Sequence, residues 1–535
     1  MTKRRIEVFE DRLLVLSGSG EDVERVQSSL PKTWLLPDPG EVAMPWDFEN
    51  AAWLTAVGYP SVSPILRDYD WPCPPDWNVM GHQYRIADFC VRNRRGYVLA
   101  GTGTGKTASV IWAVDYLMRL GYVRRVLVLC PLSVISDAWL PTVSKLLIGR
   151  TRVHALVGDH AKRSKIAQDN AAWHIVNFDG LGAKGLFEIL LANDYDCVVV
   201  DESTAIKNRN TERWKLVYPL VRKAAWAWQL TGTPTPQGPK DAYGQLCLFD
   251  RFGAKRITMT RWEDLTTFAV SKYRRIPRKD WQKIVANYMR PAIKVNTRDC
   301  VDLPPITYTA RKVPLTKPQA AAIKALSTDK VVKLGGVQVS ADNQAILLNK
   351  LCQICAGAVY DENGDIVEVK ASGRLAEVEY LFEQAEGKVI VYAPFRGAVQ
   401  MIAEHLRKKD FKVGIVHGGI SATARQKVFD AFQREDKSEL DGLIAVPSAM
   451  AHGVTLTRAS VVCWYAPVDK TETYLQANAR MERKGQKQHM TVVELWGHPR
   501  ERELYSVLAG RTQGMLSLLD IYQKIAKGVI EDSDD

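Results

Sequence analysis

From about residue 78 to 250, short apolar runs rich in Val and Ile alternate with stretches whose apolar residues recur at helical spacing. The runs at 97–99, 126–130, 174–176, 197–200 and 228–230 predict strands. Strand alternating with helix is the pattern of a parallel sheet covered by helices on both faces. The pattern stops after Asp250 and resumes near residue 374, with strands expected at 389–392, 413–416, 443–446, 461–465 and 491–495. Two α/β lobes follow from this pattern. The first 75 residues differ: an alternating stretch at 5–16 predicts a hairpin, and a run rich in Trp and Pro follows (Trp34, Pro37, Pro39, Pro45, Trp46, Trp53). A small accessory domain is expected there, giving a division into 1–75, lobe 1 at 76–250, an inter-lobe region at 251–373, lobe 2 at 374–520 and a tail at 521–535.

Composition narrows the class. The chain has 535 residues, 46% hydrophobic and 25% charged, the balance of a globular protein of roughly three or four domains. No apolar run approaches the roughly 20 residues of a membrane-spanning helix, and the start, MTKRRIEVFEDRLLVL, lacks a signal-peptide core and cleavage site. A cytosolic or nuclear protein with no membrane partner is therefore expected. The nine cysteines are scattered, most of them inside apolar runs. Only Cys352 and Cys355 form a CxxC, and no second pair stands at zinc-ribbon spacing. Both lie in AILLNKLCQICAGA at helical spacing, so core packing is the expected role, and the histidines form no cluster at ligand spacing.

The net charge of +12 points toward a polyanionic partner. Most of it is local: residues 251–298 carry thirteen Lys or Arg against three acidic residues. Trp262, Tyr273, Trp281 and Tyr288 fall among these basic residues, an arrangement able to track a phosphate backbone. A helical insertion anchored to its lobe by the same aromatics is the alternative. The terminal block Glu531, Asp532, Asp534 and Asp535 reads as a frayed acidic tail.

The strongest chemical signal is AGTGTGKT at 100–107, following a predicted strand and opening an apolar helical stretch. Thr102, Gly103, Thr104 and Gly105 form a loop whose backbone N–H groups can wrap a polyphosphate. Lys106 can reach the outer phosphates, and the Thr107 hydroxyl can hold Mg²⁺. The predicted strand at 197–200 ends in Asp201 and Glu202. Asp201 suits a magnesium held through water, and Glu202 suits a general base for the attacking water.

Taken with that pair, PLSVISDAW (131–139), VNFDGL (176–181), DESTAIKN (201–208), LTGTPTP (230–236), KVIVYAPF (388–395), VHGGISATARQKVFDAF (416–432), AHGVTLTRAS (451–460) and QANARMERKGQ (476–486) stand in the order and wording of superfamily-two helicases. The chain resembles most closely the Swi/Snf-type translocases of that superfamily, over about residues 80–495. The resemblance implies two RecA-like lobes closing on ATP, with a helical insertion between them. It also implies that Gln83 in GHQYR reads the adenine and that Gly453 and Gln476 contact nucleotide. Lys106, Asp201 and Glu202 would drive hydrolysis with Thr107 and Asp201 on magnesium, and Arg480 and Arg483 would be arginine fingers, on one face if their segment is helical. Pro131, Ser133, Asn177, Thr231, Gly232, His417, Gly418 and Ser448 fall where family members contact or support nucleic acid. The basic segment lies where such enzymes insert protrusions, which favours DNA-facing roles for Arg274, Arg275, Arg278 and Lys279.

Three departures stand out. Thr204 replaces the family's common His, so coupling to the LTGTP element is expected through a different hydrogen bond. Val446 occupies a usual Ser position, with Ser448 nearby, and there is no room for a chromatin-reader domain. With YDWP at 69–72, the compact layout is similar to Swi/Snf-like helicases of tailed bacteriophages, implying the cytoplasm of a bacterial host. The N-terminal region is distantly similar to the accessory domain of fork-remodelling annealing helicases. The expectation is a monomeric ATP- and Mg²⁺-dependent translocase on duplex or branched DNA. A strand-separating DNA or RNA helicase and an ATP-gated nucleic-acid clamp are the alternatives.

Overall fold

The computed structural model describes the chain except residues 1–4, 60, 184, 253–256, 272–273, 298–299, 301–302, 330, 335–336, 341–343, 362, 435–438, 451–453 and 527–535. Gly453, Tyr273 and the acidic tail block lie outside the described residues. The chain divides into two compact units, one of residues 1–300 and 517–535, the other of residues 301–516.

The first unit is built on a seven-stranded sheet. Its order in space is Ala292–Val295, Arg95–Ala100, Trp226–Thr231, Cys197–Asp201, Val126–Cys130, Trp173–Asn177 and Val153–Ala155. Every pairing is parallel. The inner strands at 126–130, 173–177, 197–201 and 226–231 are buried along their whole length. Continuous apolar runs such as VLVLC and CVVVD suit strands covered on both faces. One face packs with Ile111, Trp112, Trp139 and Trp173, the other with Leu186, Trp214, Leu246 and Trp262.

The N-terminal hairpin Arg5–Phe9 with Leu13–Ser17 forms, and Glu41–Pro45 and Trp34–Leu35 extend it into a four-stranded antiparallel sheet. This sheet has its own core, including Leu14, Val26, Met44 and Leu54. Ile65 and Tyr69 instead join the core of the large sheet. The Tyr69 hydroxyl donates to Asp115 Oδ2 at 2.7 Å, and the Trp112 indole donates to Pro72 O at 2.9 Å. The YDWP run is thereby fastened to the helix Lys106–Arg119.

The segment 251–298 is mixed where a helical insertion was expected. It runs as helix Met259–Thr266, antiparallel hairpin Thr267–Ser271 with Arg274–Pro277, helix Trp281–Tyr288 and strand Ala292–Val295, which joins the large sheet. Trp262 and Trp281 are buried in the lobe core, with Tyr288 packed beside Trp262. These aromatics anchor the segment; they do not present stacking faces.

The second unit holds a six-stranded parallel sheet in the order Ile306–Lys312, Met490–Trp496, Ala459–Trp464, Lys388–Tyr392, Gly442–Ala445 and Val413–Val416. The strand at 306–312 lies in the stretch where the alternating pattern is silent, because its ITYTARK sequence is only partly buried. Helices Lys317–Asp329 and Gln344–Ala356 share a satellite core with Leu326, Leu351, Ile354 and Cys355. Cys352 and Cys355 are both buried, and burial pushes the Cys352 thiol up to about 12. The molecule is thus α/β with two parallel-sheet lobes. No described helix is long and apolar enough to cross a membrane.

Candidate functional site

In the first unit the motif residues gather at the C-terminal edge of the sheet, where loops of an open parallel sheet bind ligands. The register sets Leu230 beside Asp201, Thr231 beside Leu99 and Cys130 beside Asn177. The loop after Ala100, the acidic pair, the LTGTP turn and the starts of the Pro131 and Asn177 segments therefore leave the same edge.

The loop turns into the helix Lys106–Arg119 with Gly103 at φ +80° and Gly105 at φ +73°, left-handed values that favour glycine. A Cβ on Gly105 would lie 2.0 Å from Gln83 Nε2, and one on Gly232 would lie 3.0 Å from Gly101 Cα. Gln83 and the LTGTP turn thus close against the loop from two sides. Gln83 Oε1 accepts from Met80 N at 2.9 Å, which places its amide nitrogen toward Gly105. His82 Nε2 lies 2.7 Å from Thr104 O, the Thr104 hydroxyl donates to Gly101 O at 2.9 Å, and the Thr297 hydroxyl donates to Thr102 O at 3.3 Å. Sequence reasoning assigned no role to His82, which stands beside Gln83 in GHQYR, or to Thr297, which stands in no motif.

Lys106 is buried, with its Nζ 3.3 Å from Glu202 Oε1 and 3.8 Å from Asp201 Oδ1. Asp201 is 2% exposed, and burial pushes its carboxyl up while the Lys106 charge pulls it back. Its Oδ1 accepts from Glu202 N at 2.9 Å and its Oδ2 from the Trp139 indole at 2.8 Å. Glu202 has φ +51°, a conformation that costs a non-glycine residue of order 1–3 kcal/mol and that clusters at functional sites. The donors here suit a hard cation with a polyphosphate. Asp201 and the half-buried Thr107 offer oxygen, the loop offers backbone N–H groups, and Lys106 already sits between two anions. Among the described residues, no group of three His, Cys, Asp or Glu could hold a metal alone. A site completed by substrate phosphates and water does not need one.

The path from the acidic pair to the LTGTP turn runs through a residue that no motif contains. The Ser203 hydroxyl donates to Gln245 Oε1 at 2.9 Å, and Gln245 Nε2 donates to Pro234 O at 2.7 Å and Asp241 O at 2.9 Å. Thr204 is buried beside it.

Of the expected nucleic-acid contacts in this unit, Pro131, Ser133 and Gly232 are half-buried, whereas Asn177 and Thr231 are buried. Thr231 Oγ1 accepts from Thr233 N at 3.0 Å within its own turn. The basic hairpin is partly self-neutralised. Arg275 pairs with Asp264 at 2.5 Å, while Arg278 donates to Asp264 O and lies over the Phe268 ring; Lys279 is exposed.

In the second unit the helix Thr471–Asn478 ends before Arg480, so both arginines lie in the turns that follow it and not on a helical face. Arg480 is buried and donates to Val454 O at 3.4 Å; Arg483 donates to Thr455 Oγ1 at 2.9 Å. Burial first, and then the neighbouring Arg480 charge, push the Arg483 guanidinium down to about 9. Gln476 is buried and donates to Glu472 Oε1 at 3.3 Å. His417 Nδ1 accepts from Gly419 N at 3.1 Å, and burial with the charges of Arg396 and Arg425 lowers its proton affinity. Gly418 and Ser448 are exposed.

The SNF2-related domain matches residues 81–356, and the helicase conserved C-terminal domain matches 373–485. A putative protein p41 of Acyrthosiphon pisum secondary endosymbiont phage 1 is 26% identical over 58% of this chain and 71% of its own length. The SWI/SNF-related matrix-associated actin-dependent regulator of chromatin subfamily A-like protein 1 of Xenopus tropicalis is 23% identical over 76% of this chain, which spans only 41% of that relative. Among solved structures, the Sulfolobus solfataricus SWI2/SNF2 ATPase core in complex with dsDNA aligns with 84% of this chain and 96% of its own, at 20% identity and a TM-score of 0.37. With the SNF2-related match spanning more than half of the residues, the chain belongs to the SNF2-related family.

Proposed function

We propose that this protein is an ATP-dependent DNA translocase that couples hydrolysis to movement on duplex or branched DNA. The observation carrying the reading is Lys106, poised between Asp201 and Glu202 at the mouth of a phosphate-shaped loop in an SNF2-related chain. Thr102 to Gly105 and Lys106 hold the phosphates, and Gln83, beside Gly105, orients the base. Thr107 and Asp201 would hold Mg²⁺, which supplies charge neutralisation at the β- and γ-phosphates. Glu202 accepts the proton of the attacking water, while Arg480 and Arg483 act on charge developing at the γ-phosphate. Gly453 and Gln476 complete the nucleotide contacts. Gln245, tied to Ser203 and Pro234, does in this chain what a His at position 204 would do.

Pro131, Ser133, Asn177, Thr231, Gly232, His417, Gly418, Ser448 and the basic hairpin bearing Arg274, Arg275, Arg278 and Lys279 serve DNA, by backbone contact or by supporting it. Residues 1–75 act as an accessory domain. The chain works as a monomer, and its similarity to a phage protein favours the cytoplasm of a bacterial host.

The test is ATP turnover without nucleic acid and with single-stranded DNA, duplex DNA, forked DNA or RNA, together with displacement of a triplex-forming third strand. Duplex stimulation at least equal to that by single strands, with third-strand displacement and a tailed duplex left paired, is the expected result. Efficient separation of a tailed duplex without third-strand displacement overturns the reading in favour of a strand-separating helicase.

A further inference from the structure

Asp201 owes the setting of one of its two oxygens to a residue 62 positions earlier in the chain. The Trp139 side chain is fully buried, and its indole nitrogen, a donor with no acceptor capacity, points at Asp201 Oδ2. The other oxygen, Oδ1, is the one nearer Lys106 and the one that accepts from Glu202 N. The indole on Oδ2 and the Glu202 N–H on Oδ1 therefore fix together the plane in which the carboxylate faces Lys106. Without it, Oδ2 of this buried carboxylate would lose the one hydrogen bond described for it, a loss that burial makes costly.

The backbone explains how the indole arrives there. The strand Val126–Cys130 runs beside Cys197–Asp201, and the chain leaves it at Pro131 into a short turn of helix. A π-helical turn, Ile135–Trp139, follows and is closed by Leu140 N donating to Ile135 O. The residue that a π turn adds rotates the following positions by about 100° relative to a continuous α-helix. The turn ends on Trp139, whose ring is buried against the sheet while Ser136 and Asp137 remain exposed. Such turns interrupt a regular helix at a cost and recur at functional sites.

We infer that Trp139 is a positioning residue for the magnesium carboxylate, its indole N–H holding Asp201 Oδ2 so that Oδ1 is presented to the cation. The inference rests on the reading of Asp201 as a magnesium ligand. It makes Trp139 an outer-sphere partner of the kind whose loss typically weakens metal affinity about 10- to 100-fold.

The test is equilibrium binding of a fluorescent β,γ-imido ATP analogue during a Mg²⁺ titration, in full-length wild type, Trp139→Phe and Asp201→Asn. Trp139→Phe keeps a ring and loses the donor. The Mg²⁺ concentration for half-maximal binding should rise about 10-fold or more, with binding in EDTA unchanged. As a control, Trp112→Phe removes another buried indole donor, the one bonded to Pro72 O, and should leave the Mg²⁺ dependence alone. If Trp139→Phe fails to fold, benzothienylalanine at position 139, which keeps the shape and replaces N–H by sulfur, carries the same expectation. A shift below twofold in the folded variant overturns the inference. If the wild type itself binds the analogue with no Mg²⁺ dependence, or Asp201→Asn retains it, the reading of Asp201 fails instead.

Discussion

Lys106 faces two carboxylates at once, and removing it does two different things. Lys106→Ala takes away the phosphate contact and also leaves Asp201 and Glu202 adjacent without their cation. Breaking a buried ion pair from one side costs about 3–5 kcal/mol, so the variant should melt well below wild type as well as lose turnover. Adding Asp201→Asn to Lys106→Ala should recover much of the melting temperature and none of the activity. A melting curve of Lys106→Ala superimposable on wild type would show that solvent, not Lys106, compensates the pair. Glu202→Gln should behave differently, retaining nucleotide and Mg²⁺ while hydrolysis stops, because it removes only the base. Arg480→Ala and Arg483→Ala should each lower kcat by about 10³-fold or more with little change in nucleotide affinity, as expected of groups that act in the transition state. Single-turnover kinetics beside equilibrium binding check this. Loss of affinity with kcat preserved at saturation would assign both to ground-state binding.

At the level of elements, what was legible in the sequence was what repeats locally. Inner strands such as VVVD and VLVLC announce themselves because both faces are buried, and the glycine loop and acidic pair mark their own strand ends. The edge strands at 292–295 and 306–312 did not, since an edge is only half covered and needs no continuous apolar run. The hairpin at 267–277 was hidden for a related reason: its strands are largely exposed, so burial leaves no period in TFAVS. The roles of Gln245 and of Trp139, the last residue of PLSVISDAW, lay beyond reach for another reason, because each acts on a partner distant in the chain and nothing local distinguishes a bonding indole or amide from a packed one. The hairpin also changes the arithmetic of DNA binding. Arg275 is paired with the Asp264 carboxylate, which its contribution to the salt dependence must first displace, whereas Arg278 meets only the Asp264 backbone carbonyl and keeps its charge. Reversing Arg274, Arg275, Arg278 and Lys279 together should flatten the slope of log affinity against log salt by about 0.9 for each phosphate no longer neutralised, equally for every DNA sequence. An unchanged slope would leave this hairpin as a solvated extension of the lobe.

Across the whole molecule, the first unit is discontinuous. Its chain departs at Cys300 and returns at Ser517, where Leu518 and Leu519 are buried in the same core as Trp281 and Val285, and Asp520 pairs with the buried Lys294 at 2.9 Å. Replacing both leucines by alanine should cost about 2–5 kcal/mol for each. Amide exchange should then quicken in the helix Trp281–Tyr288, while the strand Lys388–Tyr392 of the second unit keeps its protection. Equal acceleration in both places would mean that the two units unfold as one. The same discontinuity gives synthesis a schedule. A ribosome adding about 5–20 residues per second finishes residues 1–300 and then makes all of 301–516 before Leu518 exists. For roughly 10 to 40 s, the nascent first unit therefore carries an unfilled apolar seat around Trp281, open to chaperones and to neighbouring chains until the returning segment closes it.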